Sequence, residues 1–139
     1  MSDTRAYART LERLKKAGLR PTRQRLALGK LLFEGGHRHV TAEQLHSEAA
    51  KNQARVSLAT VYNTLHQFTE AGLMREVVVE AGRSYFDTNI DDHHHFFHVD
   101  TGELQDISGS DVMVTAMPSM PMGTALDRVD VIIRVRSAA

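Results

Sequence analysis

The sequence predicts an α+β protein in two parts: a helical part that ends in a β-hairpin, then a smaller part built mainly of strands. Capped segments with helical apolar spacing fill residues 5–71, and short alternating apolar runs between turn residues follow them. The charge divides in the same way, because residues 1–76 carry a net +6 and residues 77–139 a net −6. We predict two domains, residues 1–87 and residues 88–139.

The first predicted helix covers residues 5–17 and ends at Gly18, because glycine readily leaves the helical conformation. Its apolar residues recur at the helical period of about 3.6 residues, which places them on one face. That face consists of Tyr7, Leu11 and Leu14.

N-cap residues predict where three further helices begin. Thr22 precedes a leucine-rich helix that Gly35 and Gly36 end, and Thr41 opens the capping box T-A-E-Q of a helix that runs to about Lys51. Ser57 caps a fourth helix, which ends before Gly72. Its predicted buried face is Val61, Leu65 and Phe68.

A β-hairpin follows the helices, with strands MREVVVE and RSYFD joined by the turn Ala81-Gly82. Helices followed by such a hairpin describe a winged helix-turn-helix domain. In that architecture the helix over residues 57–71 would lie in the major groove of DNA, and the hairpin would contact the backbone or the minor groove.

The outward residues of that helix favour DNA binding. They are polar, and no acidic residue precedes Glu70 to repel phosphate. The alternative is an ordinary solvated helix face, but basic residues at Arg20, Arg23 and Arg55 favour nucleic acid. The polar set is Ser57, Thr60, Tyr62, Asn63, Thr64 and Gln67.

The second part is predicted to contain three strands and one helix. Strands over residues 96–99 and 103–107 flank a turn at Asp100–Gly102, and Ser110 would cap a short helix, DVMVTAM, that Pro118 ends. The tail DRVDVIIRVR alternates as a half-buried strand with Val129, Val131, Ile133 and Val135 inside. Because one helix covers so thin a sheet poorly, we expect a homodimer.

A histidine run joins the two parts. Asp92-His-His-His-Phe-Phe-His98 offers imidazole and carboxylate, the ligands of zinc, iron or manganese. On an extended chain His93 and His95 share one face and His94 lies on the other. The alternative is a solvated polar loop, which three adjacent histidines between carboxylates make the weaker interpretation.

Composition excludes several classes of site. The chain has no cysteine, so disulfides, thiolate zinc sites and cysteine nucleophiles are absent. No apolar run is long enough for a membrane span and no signal peptide is evident, which predicts a cytoplasmic protein without a membrane partner. No catalytic motif is present, so an enzyme such as a metal-dependent hydrolase is disfavoured. A metal or haem storage protein is a third interpretation, and sequence-specific binding to a short inverted repeat would count against it, because storage needs no operator.

Several segments resemble the ferric uptake regulator family: GLRPTRQRLALGKLLF, HVTAEQLH, SLATVYNTLHQFTEAGLMRE and YFDTN…DHHHFF. The DHHHFF run, the lack of cysteine and the DRVDVIIRVR ending are most similar to its iron response regulator branch from alpha-proteobacteria. The resemblance implies a winged-helix DNA-binding domain, a small α+β dimerisation domain and a homodimeric regulator of iron or haem genes.

The resemblance also implies a regulatory metal site of three nitrogen and two oxygen ligands. One divalent metal per subunit (zinc, iron or manganese) would bind there. The ligands by family position are His39, Asp87, His93, His95 and Asp106.

For DNA, the family motifs place a base-contacting tyrosine at Tyr62 and a minor-groove basic residue at Arg20. Asn63 stands where many relatives have arginine, which removes or alters one contact. Two other departures concern ligands. The four-cysteine structural zinc site is impossible here, and the Cys-Pro haem motif of the branch is absent. Haem would then bind at His93–His95, in competition with metal.

The predicted function is therefore a metal- or haem-responsive transcription regulator, such as a repressor, of iron or haem homeostasis genes. It would bind an inverted-repeat operator in double-stranded DNA as a dimer, or as a tetramer of two dimers. A peroxide-responsive or manganese- or zinc-responsive regulator of the same family is the alternative.

Overall fold

The computed structural model describes residues 2–138, and side chains from residue 5, as an α+β protein in two compact units. The first unit ends at Ile90 and the second begins at Asp91. The helices are α1 (Ser2–Lys16), α2 (Arg23–Phe33), α3 (Ala42–Lys51) and α4 (Leu58–Glu70). The strands are β1 (His39–Val40), β2 (Arg75–Glu80), β3 (Arg83–Asp87), β4 (His94–His98), β5 (Leu104–Ile107) and β6 (Ile132–Val135).

The predicted caps of three helices are confirmed. The Thr22 hydroxyl accepts the Arg25 N–H, and the Ser57 hydroxyl accepts the Thr60 N–H at 3.0 Å. Thr41 forms the capping box, because its hydroxyl accepts the Gln44 N–H while the Gln44 side chain accepts the Thr41 N–H. Each cap satisfies backbone donors that a helix start would otherwise leave unpaired.

The first unit has one apolar core between its helices and its sheet. Val61, Leu65 and Phe68 of α4 are fully buried, as predicted. The face of α1 differs from its prediction in part, because Leu14 is buried as predicted, whereas Tyr7 is 51% exposed and Ala6 and Thr10 are buried in its place. Thr10 lies close to Gly29 of α2, where even a Cβ atom would meet the Thr10 methyl at 2.8 Å. Close packing of small residues thus sets the orientation of α1, which the apolar pattern alone did not reveal.

The sheet of the first unit has the strand order β1-β3-β2, all antiparallel. The β2–β3 hairpin was predicted with these strands and this turn. Strand β1 was not, because residues 37–39 were expected to form a loop. Its two residues pair with β3 so that His39 lies opposite Asp87 and Val40 opposite Phe86.

The sheet of the second unit has the order β5-β4-β6, with β4 antiparallel to β5 and parallel to β6. The three predicted strands are present, but the predicted helix over residues 111–117 is wrong. A single 3-10 turn at Gly109–Asp111 replaces it. A seven-residue helix with two β-branched valines and a following proline has too little intrinsic stability to form unaided.

The predicted inward face of the last strand is confirmed in part, because Val129, Val131 and Val135 are half-buried but Ile133 is not. Ile133 is 37% exposed, and it pairs with Phe96 of β4. The opposite face carries Phe97, which is fully buried. The Arg134 guanidinium lies over its ring, with the guanidinium carbon 5.4 Å from the ring centroid. Alternation gives the spacing of a strand's two faces but does not decide which face the fold covers.

None of the helices in residues 2–138 combines the length and apolar character that a membrane span requires.

Candidate metal centre and nucleic-acid interface

Strands β4 and β5 bring three of the predicted metal ligands together. Their register places His95 directly opposite Asp106, and strand alternation puts His93 on the same face as His95. The Asp106 Oδ1 atom lies 3.3 Å from His95 Nε2 and 3.7 Å from His93 Nε2. Ligands about 2.1 Å from a tetrahedral ion lie about 3.4 Å apart, so these atoms can reach one ion.

The His93 ring is oriented for metal binding by its second nitrogen. Its Nδ1 atom lies 2.7 Å from the Asp91 carbonyl oxygen, which can only accept a hydrogen bond. In the neutral ring Nδ1 therefore carries the proton, and Nε2 keeps the lone pair that a metal needs. His93 and His95 are both buried, whereas the Asp106 side chain is half-exposed and leaves an opening.

His94 and His98 lie on the opposite face of β4. The His94 Nδ1 atom accepts the Val131 N–H at 3.1 Å, so the proton of the neutral His94 ring is at Nε2. His98 Nε2 lies 2.9 Å from the Gln105 side-chain oxygen. Both rings have structural partners, and neither belongs to the group of His93, His95 and Asp106.

The first unit holds the other two predicted ligands as a neighbouring pair. His39 and Asp87 are opposite residues on β1 and β3. The Asp87 carboxylate is buried, and its Oδ1 atom accepts the Asn89 N–H at 2.9 Å. The His39 ring lies edge-on to Tyr85, with centroids 5.9 Å apart. Hydrogen bonding and ring packing thus hold one imidazole and one carboxylate at the same end of the sheet.

The predicted DNA-contacting residues of α4 are at its N-terminal end. Ser57 and Thr60 also hydrogen-bond to each other through their hydroxyls at 2.9 Å, and Asn63 is exposed. The Tyr62 hydroxyl donates a 2.7 Å hydrogen bond to Glu43 of α3. That bond lowers the pKa of Glu43 and raises the pKa of Tyr62, so the pair consists of a carboxylate and a neutral phenol.

Arg20 and Arg23 are exposed at the start of α2. The neighbouring Arg25 is held in place, since it donates to the Arg20 carbonyl at 2.8 Å and to the Gln67 side chain of α4 at 3.0 Å. Arg25 therefore fixes the α2 start beside α4 and occupies Gln67, one of the predicted polar contact residues.

Sequence reasoning missed two residues that fix this architecture, Glu43 and Arg38. Glu43 binds Tyr62, and Arg38 joins the segment before β1 to α3 through Glu48. Arg38 and Glu48 are 10 positions apart in the sequence, and Glu43 and Tyr62 are 19 positions apart. Local patterns carry no signal for such contacts, although an acidic residue in a proposed DNA-binding surface was a reason to look for its partner.

Comparisons with known proteins agree with this architecture. Residues 16–121 match the model of the ferric uptake regulator family. Ferric uptake regulation proteins of Shigella flexneri and Escherichia coli K12 are 37% and 36% identical to the chain over 100 residues, which is 71% of this chain and 68% of each relative. A ferric uptake regulator structure from Pseudomonas aeruginosa with manganese superposes with a TM-score of 0.71 at 26% identity, covering 94% of this chain and 98% of that one.

These matches identify the first unit as a winged-helix DNA-binding domain and the second as a small dimerisation domain, as the sequence predicted. The chain therefore belongs to the ferric uptake regulator family, whose members are metal-responsive, DNA-binding transcription regulators that act as dimers and are not enzymes.

Proposed function

We propose that the protein is a regulator whose operator affinity is set by one divalent ion per subunit. The observation that carries this proposal is the pairing of His95 with Asp106, which aims two imidazoles and one carboxylate at a common point. Nitrogen and oxygen donors fit zinc, ferrous iron or manganese.

We further propose that His39 and Asp87 complete the ligand set. They support this assignment because they form their own buried or half-buried pair within the first unit. Five residues separate Asp87 from His93, a span short enough for ligands of both units to reach one ion. Binding would then restrain the DNA-binding domain with respect to the dimerisation domain, and the distance between two recognition helices would depend on metal.

The target of this regulator is proposed to be an inverted repeat in double-stranded DNA. A homodimer presents two copies of α4, and two-fold symmetry in the protein is matched by symmetry in the operator. Ser57, Thr60, Tyr62 and Asn63 are the proposed contacts of α4, with Arg20 and Arg23 on the flanking phosphates or minor groove. Two dimers on one operator would form a tetramer, and a regulator of chromosomal genes would work in the cytoplasm.

The finer assignment to iron and haem genes rests on the resemblance to the iron response regulator branch. The structure from Pseudomonas aeruginosa contains manganese, so the ion itself does not identify the regulated metal. If haem binds, His93 or His95 would hold it through an imidazole nitrogen. His94 is unsuited, because its Nδ1 atom is occupied and its Nε2 atom carries the proton.

The experiment is an operator selection followed by a metal titration. Random duplex DNA would be enriched on the protein with manganese, zinc or ferrous iron, and an inverted repeat is expected. Operator affinity would then be measured at fixed salt with and without each ion, because salt alone changes protein–DNA affinity strongly. Equal affinity in both conditions would overturn the regulatory proposal. Ranking the ions by the free concentration that switches binding separates an iron regulator from a manganese or zinc regulator.

The ligand assignment has a matched control on the same strand. Combined His93→Ala and His95→Ala substitution should weaken metal binding by at least about 100-fold, since even groups that only support ligands contribute 10- to 100-fold. His98→Ala, on the other face of β4, should leave metal affinity within about twofold. Equal losses in the two proteins would contradict the assignment. Calorimetric metal titration measures both.

A further inference from the structure

Strand β1 leads directly into the first helix of the helix-turn-helix pair. His39 and Val40 form the strand, Thr41 caps α3, and no spacer residue lies between them. The capping box fixes this junction through two hydrogen bonds between Thr41 and Gln44, at 2.9 and 3.1 Å. A displacement of His39 is therefore carried into the N-terminus of α3.

Arg38, the residue before His39, binds α3 nearer the C-terminal end of that helix. The Arg38 guanidinium donates to both carboxylate oxygens of Glu48, at 2.9 and 2.5 Å. It also donates to the Leu31 carbonyl in the last turn of α2, at 3.2 Å. A bidentate arginine–carboxylate pair fixes the relative orientation of the two side chains as well as their distance. Arg38 therefore restrains α3 against both translation and rotation.

The backbone of Arg38 is tied to the residue that follows Asp87. The Thr88 N–H donates to the Arg38 carbonyl at 2.9 Å, and the Thr88 hydroxyl accepts the Arg38 N–H at 2.9 Å. Arg38 and Thr88 thus extend the β1–β3 pairing by one step beyond His39 and Asp87. Arg38 therefore directly precedes His39 in the chain and is hydrogen-bonded to Thr88, the residue that follows Asp87.

Helix α3 in turn contacts the side chain proposed to read DNA. Glu43 in the first turn of α3 accepts the hydrogen bond of Tyr62, and Glu48 lies further along the same helix. The contacts therefore run without a break from His39 and Asp87 to Arg38, to α3, and to Tyr62 of α4.

We propose that Arg38 is a positioning residue that transmits metal occupancy at His39 and Asp87 to the recognition helix through Glu48. This proposal rests on the proposed function, because it presupposes that metal controls operator affinity. Arg38 touches neither DNA nor metal in this scheme. Its role is to make α3 move with β1 when the ligands close on an ion, so its loss uncouples two sites that each remain intact.

The test compares two variants that remove the same charge. Arg38→Gln breaks the Glu48 pair, and Arg9→Gln breaks a second arginine–glutamate pair, Arg9–Glu34, which lies between α1 and the end of α2. The quantity measured is the ratio of operator dissociation constants without and with manganese. We expect that ratio to fall at least fivefold in Arg38→Gln, the lower end of typical coupling factors, and to stay within twofold in Arg9→Gln.

A second readout distinguishes a relay from a general loss of structure. Because coupling is reciprocal, operator DNA should raise manganese affinity less in Arg38→Gln than in the unsubstituted protein, by the same factor. The manganese affinity of the DNA-free protein should stay within about threefold. The exchanged pair Arg38→Glu with Glu48→Arg should recover the ratio, and circular dichroism melts establish that each variant folds.

The proposal is overturned if the ratio of operator dissociation constants without and with manganese is unchanged in Arg38→Gln, or if it falls equally in Arg9→Gln. Either result leaves the proposed function standing. If Arg38→Gln does not fold, Glu48→Gln takes its place, and full coupling in that variant overturns the relay in the same way. An unsubstituted protein whose operator affinity ignores metal would overturn both proposals together.

Discussion

The two units solve the problem of burying an apolar core differently. The first closes its core with four helices and a three-stranded sheet, and twelve apolar residues in it are almost fully buried. The second has three strands, and between residues 112 and 131 the structure assigns it neither helix nor strand. That segment exposes six large apolar side chains: Met113, Val114, Met117, Met120, Met122 and Leu126.

This difference indicates which unit depends on another chain. Large apolar side chains gathered in one exposed segment are typical of a protein–protein interface. The family acts as dimers, and we predict that a second copy covers the segment over residues 112–127. The first unit closes its core within one chain, whereas we expect the second unit to reach its final packing in the dimer.

The largest expected effect is the loss of a core ring in the first unit. Phe68→Ala should lower the free energy of unfolding by about 3–5 kcal/mol, because the ring is fully buried against Phe33 and its neighbours. Phe97→Ala in the second unit should cost less, since fewer buried apolar side chains surround it and the sheet can relax. Urea denaturation measures the free energy of unfolding of both variants. A larger decrease in Phe97→Ala than in Phe68→Ala would contradict the view that the first unit has the better-packed core.

A charge in the exposed segment should weaken the dimer and leave the first unit unaffected. Leu126 is 55% exposed in the single chain, and Leu126→Glu should raise the dimer dissociation constant at least tenfold, about 1.4 kcal/mol. Ser119→Glu adds the same charge at an exposed polar position of the segment and should change it less. Sedimentation velocity measures the dimer, and an unchanged dimer in Leu126→Glu would place the interface elsewhere.

The smallest effect concerns pH and the half-exposed pair of Arg38 and Glu48. The Arg38 hydrogen bonds lower the pKa of Glu48 below its ordinary value of 4.5. The unfolded chain therefore takes up the proton first as pH falls, and the stabilisation present above pH 4.5 is lost through the lower folded pKa. Glu48→Gln should cost about 1 kcal/mol or less at pH 7 and less still at pH 3. Thermal melts of both proteins across this range check the sign, and a difference that grows in acid would contradict it.

Local chemistry made much of the first unit predictable. Thr22, Thr41 and Ser57 mark helix starts because their hydroxyls bond to backbone three residues away, and Gly18 adopts the positive φ that ends α1. The four helices and the hairpin follow from patterns of this range, and Val61, Leu65 and Phe68 of α4 are buried as predicted, although Thr64, which was expected to face outward, is buried with them.

Non-local pairing accounts for what the sequence did not reveal. Strand β1 has only two residues and forms because β3 supplies its hydrogen bonds. Two residues are too few for a periodic sequence pattern to predict a strand. Asp106 faces His95 through strand register, and without the family resemblance nothing in its neighbourhood marked it as a ligand. The wrong helix over residues 111–117 has the same origin, since a weak local signal there is decided by packing partners.

The hydrogen bonds of the histidine run imply that its adjacent rings are not chemically alike. Neutral His93 is the Nδ1–H tautomer and neutral His94 the Nε2–H tautomer, because one ring faces a carbonyl and the other a backbone amide. Nitrogen NMR spectra of the metal-free protein should therefore contain two distinct imidazole patterns from consecutive residues. On adding zinc only the first should change, so the His94 signals would serve as an internal reference beside the proposed metal ligand.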